Sequence, residues 1–188
     1  MTVADEKPSP FERAKEAAVR LLRVRSRSRS ELIAALERKG FDGAVAARVA
    51  DELARLGYMN ERLLADETAR GVTRRGPAGR ALLEHKMESR RVEPGAAERA
   101  IDHTLAGRDP VDDATTFIRQ RLAGAAHDAP HDAPHDTSHN ASSDPRGVAR
   151  RLLAALARRG FDEEVSLEAL RRVMPDALDE DRGPGDGA

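Results

Sequence analysis

The stretch Leu36 to Asp42 reads LERKGFD, and the stretch Leu156 to Asp162, 120 residues further along the chain, reads LARRGFD. The similarity extends on both sides, since residues 32–45 and 152–165 agree at 9 of 14 positions without a gap. Agreement of this length within one chain indicates an internal repeat. We therefore expect the fold to be built from copies of one supersecondary unit.

The residues around the first copy predict three helices joined by tight turns. Ser28 and Glu31 have the spacing of a capping box, which starts the second helix. Gly40 can adopt the left-handed conformation that ends this helix, and Asp42 can cap the third. We expect Phe41, between these two residues, to bury its ring in the core.

The helices on either side of this turn show the apolar periodicity of packed helices. The first helix places the following residues on one face: Ala14, Ala17, Ala18, Leu21 and Leu22. The third helix carries one apolar stripe, made of Val45, Val49, Leu53 and Leu56, and ends at Gly57. The unit is therefore three helices in about 47 residues.

The same plan recurs twice. In the second copy Leu83, Met87 and Val92 stand 51 residues after Leu32, Leu36 and Phe41. Capping residues or helix-starting prolines open the remaining helices at Asn60, Pro94, Asp109-Pro110, Asp144-Pro145 and Asp162. One such unit buries little apolar surface, so adjacent copies must share a core. The fold class predicted is all-α, an elongated tandem array of three three-helix repeats.

The predicted organisation follows from this plan. We expect a disordered N-terminus over 1–10 and repeats over 11–58, 59–107 and 108–175. A disordered insert at 124–144 interrupts the third repeat, and an acidic disordered tail at 176–188 follows it. The insert contains HDAP repeats with His127, His131, His135 and His139 four residues apart, but Pro130 and Pro134 exclude a continuous helix that would align them as metal ligands. We therefore expect no metal site there.

The composition narrows the class of protein. The 188 residues include no Cys and no Trp, and 3% are aromatic. The absence of Cys excludes disulfide scaffolds and thiolate metal sites. No apolar run approaches the roughly 18–20 residues of a membrane span, and the first residues lack the apolar core of a signal peptide. The sequence thus favours a cytoplasmic helical protein with no membrane association.

No enzyme signature is present. The glycines of RRGPAGR (74–80) lie between predicted helices and have no preceding strand, so they indicate a turn and not a phosphate-binding loop. His85 and His103 lie on predicted helices and are expected to be surface or interface residues. We therefore predict a protein that is not an enzyme and needs no cofactor.

The net charge of −1 conceals three basic segments. Residues 11–41 carry nine Lys or Arg against four Glu, residues 70–91 seven against two, and residues 146–159 five Arg and no acid. Segregated positive charge predicts an anionic partner, although arginines on Ala-rich helices also serve simply to solvate exposed faces. The candidate binding residues are Arg23, Arg25, Arg27, Arg29, Arg70, Arg74, Arg75, Arg80, Arg146, Arg150 and Arg151.

Several of these segments together resemble the RecX family of bacterial recombination regulators. The resemblance lies in AAVRLLR (17–23), in Ser28 with Glu31-Leu32, in LERKGF (36–41) and in LARLGYMN (53–60) with Ala65. The LARRGF of the third copy is similar to the closing motif of that family. The chain departs from the family pattern at Leu64 and Thr68, where larger aromatics are usual, and at Arg91, where Gly is usual.

The resemblance implies a regulator that modulates RecA, most often by inhibition, and that lodges in the groove of the RecA filament on single-stranded DNA. It implies a role in recombination, DNA repair and the SOS response, and we expect the regulator to act as a monomer. It also implies tandem three-helix units, which agrees with the repeat pattern. The alternative is a helical nucleic-acid-binding protein that acts without RecA. The nearly neutral net charge favours the first interpretation, since a dedicated DNA-binding protein is usually basic.

Overall fold

The computed structural model of the chain describes residues 8–127 and 144–177. These residues form nine α-helices and no strand: α1 (Pro10–Val24), α2 (Arg29–Glu37), α3 (Gly43–Arg55), α4 (Glu61–Thr73), α5 (Arg80–Ser89), α6 (Pro94–Leu105), α7 (Pro110–His127), α8 (Pro145–Arg158) and α9 (Glu163–Val173). A single 3₁₀ turn, Pro175–Ala177, follows α9. The prediction of an all-α chain made of three successive three-helix units is confirmed.

By their contacts these helices fall into two compact units. Unit 1 comprises Met1–Gly71 and Glu84–Thr104, and unit 2 comprises Val72–Leu83 and Leu105–Ala188. The helices α4 and α5 each contribute residues to both units, so the second predicted repeat is divided between them. The repeat boundaries themselves remain predictions of the sequence.

The ends of two elements differ from the predicted segments. Helix α1 starts at Pro10, because Ser9 and Glu12 form a reciprocal capping box that the sequence reading missed. Helix α7 continues to His127, past the predicted start of the insert at residue 124. Three ranges lie outside the described part of the chain: 1–7, 128–143 and 178–188. They include most of the predicted insert and most of the predicted tail.

Four helices end in the same hydrogen-bonded turn. After α2, Gly40 has a φ of 86° and donates its N–H to the carbonyl of Glu37, while Phe41 donates to the carbonyl of Leu36. These are the two bonds of a Schellman motif, which closes a helix with a left-handed residue and an apolar one. The same two bonds close α3, α5 and α8, where the residue pairs are Gly57-Tyr58, Arg91-Val92 and Gly160-Phe161. The repeated sequence LERKGF or LARRGF is therefore a helix-end signal.

Most of the predicted helix starts are confirmed. Ser28 and Glu31 form the predicted capping box, and Asp42 accepts hydrogen bonds from two backbone amides of α3. Asn60 accepts from the Leu63 amide at 3.0 Å. The prediction for Asp162 is wrong in one respect, because it occupies the N-cap position of α9 but makes no side-chain capping hydrogen bond.

Each unit has its own apolar core. In unit 1 the helices α1, α2 and α3 bury Ala14, Ala17, Ala18, Leu32, Leu36, Ala46, Val49, Ala50 and Leu53. In unit 2 the helices α7, α8 and α9 bury Ala114, Ile118, Ala149, Leu152, Leu156, Phe161, Ala169 and Leu170, together with Ala177 of the 3₁₀ turn. Small alanines allow close approach of the helices, and each leucine buries more apolar area than an alanine does.

Two predictions about the first core are wrong. Phe41 is only partly buried and packs against the outside of the core formed by α1, α2 and α3. Leu56 is 45% exposed, since it lies past the last turn of α3 at the helix C-terminus. Leu36 and Leu53, at 0% exposure, hold the central positions. Phe161, the counterpart of Phe41 in unit 2, is buried as predicted.

We expect Leu36→Ala to destabilise unit 1 more than Phe41→Ala does. Removing a fully buried leucine costs about 2–5 kcal/mol, because it loses transfer free energy and leaves a cavity. A partly buried ring at the rim loses less area and leaves a gap that water can fill. The denaturation midpoints of the two variants in urea measure the order, and a larger loss for Phe41→Ala contradicts it.

We expect Gly40→Ala to lower the free energy of unfolding by about 1 kcal/mol, because an L-residue is strained at a left-handed helix end. A Cβ at Gly40 meets no atom within 4 Å, so the loss reports backbone conformation alone. The opposite change, Arg91→Gly, relieves a φ of 50° and should raise the free energy of unfolding by about 0.5 kcal/mol. Urea unfolding followed by circular dichroism measures both.

The matched control is Gly71→Ala. Gly71 lies inside α4, and a Cβ added there also meets no atom within 4 Å. Alanine is the better helix former, so this variant should gain about 0.5–1 kcal/mol. A loss at residue 71 equal to that at residue 40 contradicts the assignment of Gly40 to a left-handed helix end.

Candidate functional site

The eleven arginines predicted from the sequence are distributed over both units. Unit 1 holds Arg23, Arg25, Arg27 and Arg29, at the end of α1 and the start of α2, and Arg70 in α4. Unit 2 holds Arg74, Arg75 and Arg80, around the turn between α4 and α5, and Arg146, Arg150 and Arg151 in α8. All are exposed except Arg27, which is partly buried.

Two of the unit 1 arginines are neutralised by nearby carboxylates. Arg25 directs both terminal nitrogens at Glu31, at 3.2 Å. The Nε of Arg29 donates to Asp51 at 2.7 Å, and this hydrogen bond lowers the pKa of the Asp51 carboxyl. These two arginines therefore contribute less to a positive surface than the sequence suggests.

Arg27 is in a different environment. Its Nε is buried and has no hydrogen-bond partner among the described residues. Burial lowers the pKa of Arg27, and the charge of Arg25 lowers it further, whereas Glu31 raises it. The charges of Arg38 and Arg90 act in the same direction as that of Arg25. Arg27 is thus a partly desolvated cation among other cations.

Arg90, at the end of α5, is a member of this site that the sequence reading missed. Its Nη2 donates to the carbonyl of Ser26 at 2.7 Å, and its own carbonyl accepts from the Ser28 hydroxyl at 2.8 Å. It also approaches Glu31 at 3.4 Å and Thr68 at 3.3 Å. Arg90 therefore clamps the segment between α1 and α2. Its partners Ser26 and Ser28 are more than 60 residues away, so no local sequence signal points to them.

In unit 2 the turn between α4 and α5 docks onto the end of α8. Arg159, which lies outside the predicted set, donates to the carbonyls of Gly76 at 2.5 Å and Pro77 at 2.6 Å and lies over the Phe117 ring at 5.8 Å. The Gly79 amide donates to the Arg159 carbonyl at 2.9 Å. Burial lowers the pKa of Arg159, and the charge of Arg75 lowers it further. Arg159 is therefore a structural arginine that fixes the turn.

Glycine is required on both sides of this contact. A Cβ on Gly79 would lie 2.0 Å from the Gly160 carbonyl oxygen, and one on Gly160 would lie 2.1 Å from the Leu82 amide nitrogen. The two backbones therefore meet without intervening side chains. This contact brings the exposed Arg75 and Arg80 to the end of α8.

The described residues hold no group of three or more His, Asp or Glu side chains arranged for a metal ion. His131, His135 and His139 lie outside the described residues, and His127 is the last residue of α7. His85 and His103 are exposed, in agreement with their predicted surface position. Among the described helices none is long and apolar enough to cross a membrane.

Comparisons with known proteins agree with the repeat. Residues 14–53, which span α1 to α3 almost completely, match a family model described as RecX, first three-helix domain. The regulatory protein RecX of Mycolicibacterium vanbaalenii is 31% identical over 170 residues, which cover 89% of this chain and 85% of that protein. This chain belongs to the RecX family.

Other members of the RecX family support this assignment. The regulatory protein RecX of Mycobacterium leprae is 30% identical over 176 residues, 90% of this chain and 92% of the relative. The crystal structure of RecX from Lactobacillus salivarius matches the fold with a TM-score of 0.63 over 87% of this chain and 96% of that one, at 15% identity. The relatives are named as regulatory proteins, and the solved structure shows that the fold is shared.

We expect Glu31→Gln to destabilise this RecX protein at neutral pH by about 1–2 kcal/mol, because it removes the carboxylate that Arg25 and Arg90 share. Burial disfavours the Glu31 carboxylate, but hydrogen bonds from Arg25 and the Ser28 amide, with the charge of Arg90, outweigh burial and lower its pKa. A lowered pKa stabilises the fold above the unfolded-state pKa of about 4.3, and this contribution is lost as the pH falls through the folded-state pKa.

The difference between Glu31→Gln and the parent should therefore shrink between about pH 5 and pH 3. Thermal unfolding over this range measures it. Glu16→Gln is the control, since Glu16 pairs with Arg20 on the exposed face of α1 and should cost only a few tenths of a kcal/mol at any pH. If the difference in stability between Glu31→Gln and the parent stays constant with pH, the Glu31 charge does not stabilise the fold as described.

Proposed function

We propose that this RecX-family chain binds the filament that RecA forms on single-stranded DNA and lowers its activity, with effects on recombination, DNA repair and the SOS response. The observation that carries the proposal is membership of the RecX family over most of the chain. It acts as a cytoplasmic monomer, without a cofactor, without catalysis of its own and without contact to a membrane.

The distribution of charge supports binding to a mixed surface of protein and nucleic acid. The exposed arginines of α8 and of the α4–α5 turn supply positive charge in unit 2, whereas the net charge of the whole chain is −1. A filament offers phosphates and protein surface together, so many weak contacts add up by multivalency. Bare DNA offers the phosphates alone, and that attraction weakens steeply with salt.

The alternative function is binding to nucleic acid without RecA. The observation in its favour is a set of exposed arginines that could all contact phosphate groups without any protein partner: Arg74, Arg75, Arg150 and Arg151. The two functions differ in their salt dependence, because only the first includes contacts to a protein.

The test compares inhibition of the DNA-dependent ATPase of RecA with binding to bare single-stranded DNA, measured by fluorescence anisotropy. Inhibition should occur at concentrations well below those that saturate bare DNA. Raising salt from about 50 to 200 mM should weaken bare-DNA binding far more than inhibition. Equal affinities with equal salt slopes favour the alternative, and a chain that never affects RecA contradicts the proposal.

A charge-reversed variant adds a second arm. Replacing Arg74 and Arg75 by Glu should weaken both activities and leave helicity unchanged, because both side chains are exposed. The control variant replaces Arg55 and Arg171 by Glu, which changes the net charge by the same amount. These arginines already lie beside Glu52 and Glu168, so their replacement should alter binding much less.

A further inference from the structure

Helices α4 and α6 line a groove in unit 1 that lies outside the basic segments of the sequence. The groove has a volume of 300 Å³, and six residues of the two helices line it: Arg62, Asp66, Ala96, Arg99, Ala100 and His103. This volume is near the lower end of the roughly 300–1,000 Å³ that is typical of sites for small molecules. The groove is therefore large enough for one small chemical group, and too small for an extended segment.

The spacing of the polar residues directs them to the groove from both helices. Arg62 and Asp66 are four residues apart on α4, so they lie on one face of that helix. Arg99 and His103 have the same spacing on α6. The two helices therefore present their polar side chains to one groove, although Arg62 and Arg99 are distant in the sequence.

The base of the groove is apolar and has short side chains. Ala96 and Ala100 line it from α6 and are 3% and 4% exposed. Both are one turn apart on the helix face that turns inward. No side chain atom beyond a Cβ projects from these two positions, so a flat ring can lie against them.

The charged side chains of the groove are accessible and have no partners within the described part of the chain. Arg62 and Arg99 are exposed, Asp66 is half-buried, and none of the three forms a hydrogen bond or an ion pair there. Glu93, which lies near Arg99, directs its carboxylate instead at two backbone amides of α6, at 2.8 and 2.7 Å. An external ligand can therefore reach both guanidinium groups and the carboxylate.

We propose that the α4–α6 groove binds one nucleotide of single-stranded DNA, with its phosphates at Arg62 and Arg99 and an amino group of its base at Asp66. The inference rests on the proposed function, which brings the strand to this chain, and it names the residues of unit 1 that contact the strand. Guanidinium groups donate hydrogen bonds to phosphate oxygens in a planar fork, and a carboxylate accepts from the amino group of a base.

The mixture of charges favours a nucleotide over an acidic side chain of a protein. A protein carboxylate would pair with Arg62 or Arg99, but Asp66 would repel it. A nucleotide brings an anion for the arginines, a hydrogen-bond donor for Asp66 and a flat face for the alanines. All three features of the groove are used by this one occupant.

Asp66 makes the groove selective among bases. Cytosine carries an amino group at position 4 of its ring, from which a carboxylate accepts a hydrogen bond. Thymine carries a carbonyl oxygen at that position, and a carboxylate repels it. We therefore expect the groove to prefer cytosine to thymine, which a surface of arginines alone does not do.

The decisive measurement is the ratio of the affinities of the full chain for fluorescent oligo(dC) and oligo(dT) of equal length, in slightly alkaline buffer that keeps cytosine unprotonated. The parent should bind oligo(dC) about 3–10-fold more tightly. Asp66→Ala should bring the ratio to about one and strengthen oligo(dT) binding, because a repelling carboxylate is lost. A ratio of about one in the parent, or a ratio that Asp66→Ala leaves unchanged, overturns the inference.

The matched control for Asp66→Ala is Glu67→Ala. Glu67 is an exposed carboxylate of the same helix, but it does not line the groove. Its removal changes the net charge by the same amount and should leave the ratio of oligo(dC) to oligo(dT) affinity at the parent value. If Glu67→Ala abolishes the preference as Asp66→Ala does, the preference does not come from the groove and the inference is wrong.

Arg62→Met and Arg99→Met test the phosphate contacts. Each should weaken binding of both oligonucleotides by about 3–10-fold and reduce the salt slope by about one. Arg13→Met removes an exposed arginine of α1 and should change either affinity by less than about 2-fold. Circular dichroism should match the parent, and a methionine variant that does not is replaced by its glutamine counterpart. Equal losses at Arg13 and in the groove report net charge alone and overturn the inference.

Competitors identify the source of the bound group. Unlabelled oligo(dC) should displace labelled oligo(dC) at a far lower nucleotide concentration than deoxycytidine monophosphate does, because one strand makes several contacts at once. If the mononucleotide is equally effective, the ligand is a free nucleotide and the assignment to a strand is wrong. If polyglutamate of equal charge displaces the strand as well as oligo(dC) does, the groove takes acidic protein side chains and the inference is wrong.

Inhibition of the RecA ATPase separates this inference from the proposed function. If the parent inhibits RecA but the groove variants bind both oligonucleotides like the parent, the inference fails and the proposed function stands. If the groove variants lose oligonucleotide binding and the preference for cytosine, and the parent never inhibits RecA, the groove assignment stands and the proposed function fails.

Discussion

The left-handed residue that closes a helix is the constraint on which the rest of this structure depends. It satisfies carbonyls that the helix leaves unpaired, turns the chain sharply, and places the next apolar residue against the end of the helix. At Gly40 an added Cβ has open space, so glycine is needed there for its conformation. At Gly160 it is also needed for room, because the α4–α5 turn packs directly on the backbone. The same glycine-containing turn thus ends the helices and, at Gly160, allows the backbone of the α4–α5 turn to pack against it.

The second repeat shows what happens when the motif lacks glycine. Arg91 adopts a φ of 50° and closes α5 with the same two hydrogen bonds as the glycine-containing turns. The strain is tolerated because the neighbouring Arg90 is held on both sides, by the Ser26 carbonyl and by the Ser28 hydroxyl. The surrounding contacts determine the conformation here, although the residue itself disfavours it.

Two classes of arginine stand out among the described residues. Some arginines, such as Arg159 and Arg90, bond to backbone carbonyls and hold turns together. Others, such as Arg150 and Arg151, project from a helix whose opposite face is buried, and they are available to a partner. Arg27 belongs to neither class, because it is partly buried and lacks an acceptor. A chain that is nearly neutral overall can therefore still present positive surfaces, since its pairing of charges is local.

The sequence by itself determined the nine helices found in residues 8–127 and 144–177 and most of their caps, because capping, periodicity and the Gly-aromatic helix end act within a few residues. It also identified the family, through motifs that recur along the chain. Only the tertiary structure decided that Phe41 lies at the rim while Leu36 lies at the centre, and that Arg90 belongs with Ser26 and Ser28. Burial and hydrogen bonds of this kind join residues that are distant in sequence. Their energies depend on which atoms the folded chain brings together, and no local pattern encodes that.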